Sequence, residues 1–228
     1  MNQLTAFWET LTHNLDIFGT GFRNTLYLFL IAGVGSLIWG TVLAAMRVSP
    51  VPALRAFGTA YVNTIRNTPL TLVFAFLAFA WVKAFPEFPG TFGRNGFFTF
   101  AYVALIAYTS AFICEVVRSG VNTVSPGQAE AARAVGMTFS QVLGIVVLPQ
   151  AFRAIMPPLT SVMIAMLKNS TIAAGFSVTE AGAIRQNMSE RGGNQIYVLL
   201  WITIGFLILI APMVAAQRAL ERKWTVAR

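Results

Sequence analysis

Residues 130–149, EAARAVGMTFSQVLGIVVLP, decide how this chain folds, because they separate two strongly apolar runs without being apolar filler themselves. Just upstream, Ser125-Pro126-Gly127-Gln128 offers a serine N-cap, a proline at the first helical position and a glutamine placed to close a capping box. Glu130 then falls in the first turn, where the helix dipole favours negative charge. Ala132, Val135, Phe139, Val142 and Val146 recur every three or four residues and form one apolar stripe. Gly136 permits a turn or a close backbone approach, and Pro149 marks the return to apolar sequence. The spacing predicts two short helices with a bend over about 125–150. Such a stripe beside charge needs a covering partner; the alternative is an amphipathic helix resting on lipid.

The sequence on either side is built for a bilayer. Of 228 residues, 56% are hydrophobic and 11% charged, against roughly 25% charged in an average soluble domain. Runs long enough to cross a hydrocarbon core, about 20 residues, lie near 24–46, 58–82, 97–117, 154–175 and 196–216. The expected fold is an all-α membrane protein with five transmembrane helices in a single domain, 1–228, since no period of 20–50 residues repeats. Leu4, Trp8, Leu11, Leu15 and Phe18 recur at helical spacing and suggest a short interfacial helix. Glu9, His13 and Asp16 stand where a cleavable leader would carry basic residues. His13 reads as an interfacial polar residue, and the lone Cys114 excludes an intrachain disulfide.

Lysine and arginine set the expected orientation, because cytoplasmic loops are enriched in them. Arg47, Arg55, Arg118, Arg133, Arg153, Arg218, Arg222, Lys223 and Arg228 fall on one side of the five spans. Arg23, Lys83, Arg94, Arg185 and Arg191 fall on the other. The richer side holds the C-terminus, which places the C-terminus in the cytoplasm and the N-terminus outside. The formal charge of +8 is then a topology signal with an anionic-lipid contribution, and nucleic acid is not an expected partner.

Two cations remain inside the spans, where an uncompensated one costs about 2.5–3.5 kcal/mol on insertion scales. Arg66 lies 11 residues beyond Arg55, so roughly 16 Å along a helix and near mid-membrane. Lys168 is followed by Asn169, Ser170 and Thr171, a polar run predicted to loosen its helix where it lines a cavity. Each cation either lines a pathway or ties one helix to another. Glu115 is expected to pair with Arg118, three residues on. That would leave a positive pathway favouring anionic ligands. Glu180 lies in the polar stretch 177–195, where the residues alone read as a solvated loop. Phe85-Pro86-Glu87-Phe88-Pro89-Gly90 reads as a stiff outer turn.

The order Glu130-Ala131-Ala132, three residues, Gly136, then Leu148-Pro149 resembles the EAA motif of ABC importer permeases, with Val146 at the isoleucine position. The resemblance runs over nearly the whole chain and narrows to the polar amino acid uptake branch through GFRNTL (21–26), YVNTIRNTPL (61–70), EVVRSG (115–120) and KNST (168–171). RNTPLTLV, YTSAF and GQAEAAR are most similar to actinobacterial glutamate permeases.

It implies a type I ABC importer permease (MetI-like) fold, with coupling helices that dock on a cytoplasmic ATPase through Glu130, Ala131, Ala132, Gly136, Leu148 and Pro149. It also implies a substrate pathway near Arg66, Thr68, Lys168, Asn169, Ser170, Thr171 and Glu180. The implied partners are an ABC ATPase dimer carrying ATP and Mg, a second permease subunit, and an extracytoplasmic binding protein that could dock on the outer turn. The implied place is the bacterial inner membrane. No GxxxxGK[ST] loop, metal-spaced cluster or nucleophile beside a base occurs, so no cofactor and no catalytic residue are expected on this chain. The competing reading is a secondary transporter or channel subunit driven by an ion gradient.

Overall fold

A computed structural model describes residues 2–84 and 96–225, so the expected outer turn at 85–90 lies outside the described residues. The described residues are helical and contain no strand. The helices are α1 (Gln3–Thr12), α2 (Leu15–Val48), α3 (Pro52–Arg66), α4 (Leu70–Ala84), α5 (Gly96–Asn122), α6 (Pro126–Ala134), α7 (Phe139–Gln141), α8 (Leu148–Asn169), α9 (Ile184–Glu190) and α10 (Gln195–Thr225). The short α1 docks on α10 rather than standing alone. Phe7 stacks on Trp201 at 4.6 Å, and the Trp201 indole N–H donates to the Phe7 carbonyl at 2.9 Å.

Small residues let α2 and α5 approach closely, and theirs is the most extensive helix contact in the fold. At Gly40 an added Cβ would stand 2.7 Å from the Ile113 Cβ and 2.9 Å from the Ser110 carbonyl oxygen. Backbone cannot yield as a side-chain tip does. Gly40→Val should therefore separate the two helices and sharply lower the yield of monodisperse protein in size-exclusion chromatography; an unchanged profile and melting temperature would contradict this packing. Beside the seam, Leu28, Phe74, Phe100, Leu105 and Met166 from α2, α4, α5 and α8 are buried together. Leu207 and Ile208 on α10 stay bare, as a lipid-facing surface requires.

Among the described residues, four helical stretches are long and apolar enough to cross a membrane: Leu15–Val48, Gly96–Asn122, Phe139–Phe176 and Gln195–Arg222. The fifth expected span, 58–82, is divided. Pro69 has no N–H to continue the ladder, so α3 stops at Arg66 and α4 restarts at Leu70. Asn67 and Thr68 turn back on the open end, the Asn67 amide donating to the Asn63 carbonyl and the Thr68 hydroxyl to the Thr64 carbonyl, both at 2.8 Å. The described part of α4, 15 residues to Ala84, rises about 22 Å. Arg66 thus ends a helix beside a break, where the sequence had suggested the middle of a continuous span.

The stretch Phe139–Phe176 is a single rod of 38 residues, roughly 57 Å at 1.5 Å per residue, so it extends well beyond a bilayer core. Pro149 does not end it. The preceding turn, Val142–Val147, widens into a π-helix, which relieves the proline ring and its missing donor without a kink-and-restart. The expected span 154–175 is the C-terminal part of this rod. Phe139 and Lys168 thus lie on one helical stretch, which also holds Pro157 and Pro158 in its interior.

Candidate functional site

The 125–150 segment is bent as its spacing predicts, and the bend has a defined chemistry. Ser125 precedes α6 and Pro126 takes the first helical position, but the Ser125 side chain caps nothing. The capping box expected there is found one element later. Thr138 and Gln141 satisfy each other, the Thr138 N–H donating to Gln141 Oε1 at 2.8 Å and the Gln141 N–H to Thr138 Oγ1 at 3.4 Å. The apolar stripe expected from the sequence includes Phe139 but does not single out Thr138 and Gln141, whose spacing is a helix start signal.

Between the two short helices Gly136 takes φ +89°, while nothing stands within 4 Å of where its Cβ would be. Conformation, not crowding, selects glycine here. The Gly136 N–H donates to the Arg133 carbonyl at 2.9 Å and the Met137 N–H to the Ala132 carbonyl at 3.2 Å, which closes α6 as a Schellman motif. The bend splits the apolar stripe. Ala132 and Val142 turn into the protein, at 8% and 3% exposed, whereas Val135 and Phe139 stay 79% and 67% exposed. Glu130, Ala131, Leu148 and Pro149 are also exposed, so an apolar knuckle with charge at its edge projects from this end of the fold.

At the root of that knuckle three arginines share one carboxylate. Glu115 Oε1 accepts Arg47 at 2.5 Å and lies 3.3 Å from Arg66, and its Oε2 accepts Arg118 at 2.9 Å. The expected Glu115–Arg118 pair is present, and of the two readings left open for Arg66, lining a pathway or tying helices together, the geometry supplies a tie. Arg66 is tied to α5 through Glu115 and rests over the Phe112 ring at 5.8 Å. No local signal announces this, because Arg47 and Glu115 are 68 residues apart.

The polar run after Lys168 tightens rather than simply loosening. Above Asn169 the chain passes into 3₁₀ geometry over Ser170–Phe176 and then into a left-handed residue, Ser177, at φ 61°. The Ser170 and Thr171 hydroxyls donate to the Leu167 and Lys168 carbonyls at 2.8 Å, which satisfies acceptors the change of helix type releases. Lys168 is exposed, and Asn169 borders a cavity of about 250 Å³ with Tyr108, Phe112 and Met166.

Glu180 is fully buried, so the solvated-loop reading does not hold. Its carboxylate caps the turn Ala181–Ala183, accepting the Gly182 N–H at 2.8 Å, and meets Thr25 Oγ1 at 3.2 Å, while Thr25 also accepts the Ala181 N–H at 3.0 Å. Burial pushes the Glu180 carboxyl from 4.5 up to about 7, against the opposing pull of the Gly182 N–H and Thr25.

Binding-protein-dependent transport system inner membrane components are the family whose pattern matches residues 36–226. The chain belongs to this family. The permease is 42% identical to the glutamate transport system permease protein GluC of Corynebacterium efficiens, over 98% of this chain and 99% of that one. It is 34% identical to the probable glutamine ABC transporter permease protein GlnM of Bacillus subtilis, over 93% and 95%. The kinship with polar amino acid permeases, and with actinobacterial glutamate permeases among them, is thus borne out.

Among solved structures, a crystal structure of an amino acid ABC transporter with histidines superposes at a TM-score of 0.83, with 26% identity and coverage of 93% and 96%. A chain of the methionine ABC transporter MetNI, in inward facing conformations, superposes at 0.67 with 21% identity over 90% and 96%, and bears on the fold alone. The all-α, type I importer fold follows.

The permease's raised Glu180 yields a pH prediction. A carboxyl whose folded pKa exceeds its unfolded value stabilises the fold fully below about 4.5 and loses that contribution as pH rises to about 7. The melting temperature of the wild type, relative to Glu180→Gln, should therefore fall between pH 5 and pH 8. A difference that stays flat with pH would remove this assignment.

Proposed function

We propose that this permease is the transmembrane subunit of an ATP-driven amino acid importer that carries glutamate or another polar amino acid. One observation carries the reading: the glycine-bent knuckle, with Val135 and Phe139 bare beside Glu130, leads directly into the helical stretch Phe139–Phe176 that carries Lys168–Thr171. A cytoplasmic ATPase dimer with bound ATP and Mg grips the knuckle, and its closure and reopening swing the rod between two states. Alternating access needs such a two-state element, biased differently by its ligands. In this reading the bent end and the C-terminus face the cytoplasm and the N-terminus lies outside. Two permease subunits, like or unlike, form the pathway; an extracytoplasmic binding protein delivers the substrate.

The kinship to permeases named for glutamate supports an acidic substrate, and so does the surplus of arginine beside Glu115. Reconstitution with the ATPase and the binding protein tests it. Uptake of radiolabelled L-glutamate should require ATP inside the vesicle system and be competed by unlabelled glutamate. Uptake driven by an ion gradient without ATP would support the secondary-transporter reading instead.

A further inference from the structure

The arginine cluster is not electrically closed. Three guanidinium groups face one carboxylate, a net charge of +2, and among the described residues no other acid forms an ion pair with Arg47, Arg66 or Arg118. Arg118 Nε is buried with no hydrogen-bond partner. Beside these groups opens a cavity of about 380 Å³ whose lining includes Arg66, Glu115, Arg118, Thr123, Ala154 and Pro158. That volume falls within the ~300–1,000 Å³ range of small-molecule sites. In a low-dielectric surrounding a surplus of two positive charges beside an open cavity favours an anion.

The three arginines are not equivalent. Arg47 holds Glu115 at 2.5 Å with a side chain 13% exposed, whereas Arg66 stands at 3.3 Å and is 44% exposed. Arg66 also ends α3 at the proline break, where its helix places little restraint on the side chain. Glu115 and Arg47 thus form a fixed pair, and Arg66 is the cation free to exchange partners. The cavity walls belong to the two arms of the knuckle: Gly120 and Thr123 lead into α6, while Ala154 and Pro158 follow Pro149 on α8.

We infer that this cavity is an inner carboxylate-binding subsite, in which the side-chain carboxylate of an acidic amino acid displaces Glu115 from Arg66 on its way to the cytoplasm. Arg66 supplies the donors that face the cavity, and Glu115 acts as the resident anion that the ligand replaces. The exchange needs no proton transfer and no net change of charge on the protein. This rests on the acidic-substrate reading above, and it adds the place and the manner in which that charge is recognised.

The test is calorimetric binding of L-glutamate to the permease–ATPase complex in phosphatidylcholine nanodiscs without the binding protein, alongside uptake by the same complex with it. L-glutamate should bind saturably. Loss of a charge-assisted hydrogen bond in Arg66→Gln should weaken binding about tenfold or more, and L-glutamine should show a similar deficit on the wild type. Glu115→Gln removes the resident anion and should tighten binding; should that variant not fold, Arg66→Gln decides alone.

Unchanged affinity in Arg66→Gln, equal binding of glutamine, or absence of binding while ATP-driven glutamate uptake proceeds would each overturn the subsite and leave the importer reading standing. Displacement of glutamate by inorganic phosphate at matching affinity, or its loss in phosphatidylglycerol discs, would overturn it too, as a general anion or lipid-headgroup site. Failure of the wild type to transport glutamate would instead strike the proposed substrate.

Discussion

Gly136→Glu is expected to abolish ATP-driven uptake while the permease still inserts into the membrane. At φ +89° any residue with a Cβ is strained by roughly 1–2 kcal/mol, which shifts the balance between bent and unbent knuckle by about tenfold. The substitution also sets a second negative charge six residues beyond Glu130, past the end of α6 and between the bare Val135 and Phe139, where a docked surface would have to desolvate it. Gly136→Ala separates the two effects, since it adds the strain without the charge and should retain part of the activity. Because nothing stands within 4 Å of the new Cβ, neither change disturbs the core. Vesicle uptake and membrane abundance, measured together, check this; normal uptake by Gly136→Glu would contradict the role given to the bend.

The second large effect is expected at Glu115. Replacing it by leucine leaves Arg47, with its side chain 13% exposed, facing apolar surroundings, and removes the acid shared with Arg66 and Arg118. Breaking a buried pair from one side costs about 3–5 kcal/mol. Arg66 and Arg118 are 44% and 38% exposed, so their share is reduced by solvent screening, and about 2–3 kcal/mol is the expected total. For a chain of this size that lowers the melting temperature by roughly 5–10 °C. Glu115→Gln should fall between, because its amide oxygen still accepts from one arginine. A melting temperature within a degree or so of wild type for Glu115→Leu would show that the cluster is not a structural tie.

What could be read from the sequence was local. The bend at Gly136 was legible because glycine, charge and proline stand within one 20-residue window, and the polar run after Lys168 announced a change of helix type for the same reason. Pro149 misled, since a proline usually ends a helix; a π-turn absorbed it here. Thr138 and Gln141 carried a capping box in plain view three residues apart, masked by the better-looking Ser125-Pro126 start.

The arginine cluster was illegible because its four members come from three helices and meet only once α2, α3 and α5 are packed. Glu180 was illegible for a different reason. Its neighbours Ser177, Thr179 and Gly182 look like a solvated loop, but they bury it by turning tightly against Thr25, and no pattern in a polar stretch distinguishes the two outcomes. Counting from Arg55 to Arg66 follows α3 to its last residue; what the count did not show is that the helix stops there.

The account depends most on the knuckle being held by an ATPase. Affinity-tagged permease purified from its native membrane should bring with it an ABC ATPase, seen as a P-loop protein by mass spectrometry and as vanadate-sensitive ATP hydrolysis. The double variant Val135→Asp, Phe139→Asp, which alters only exposed side chains, should purify without it. Equal recovery of ATPase with both proteins, or none with the wild type, would contradict the central claim.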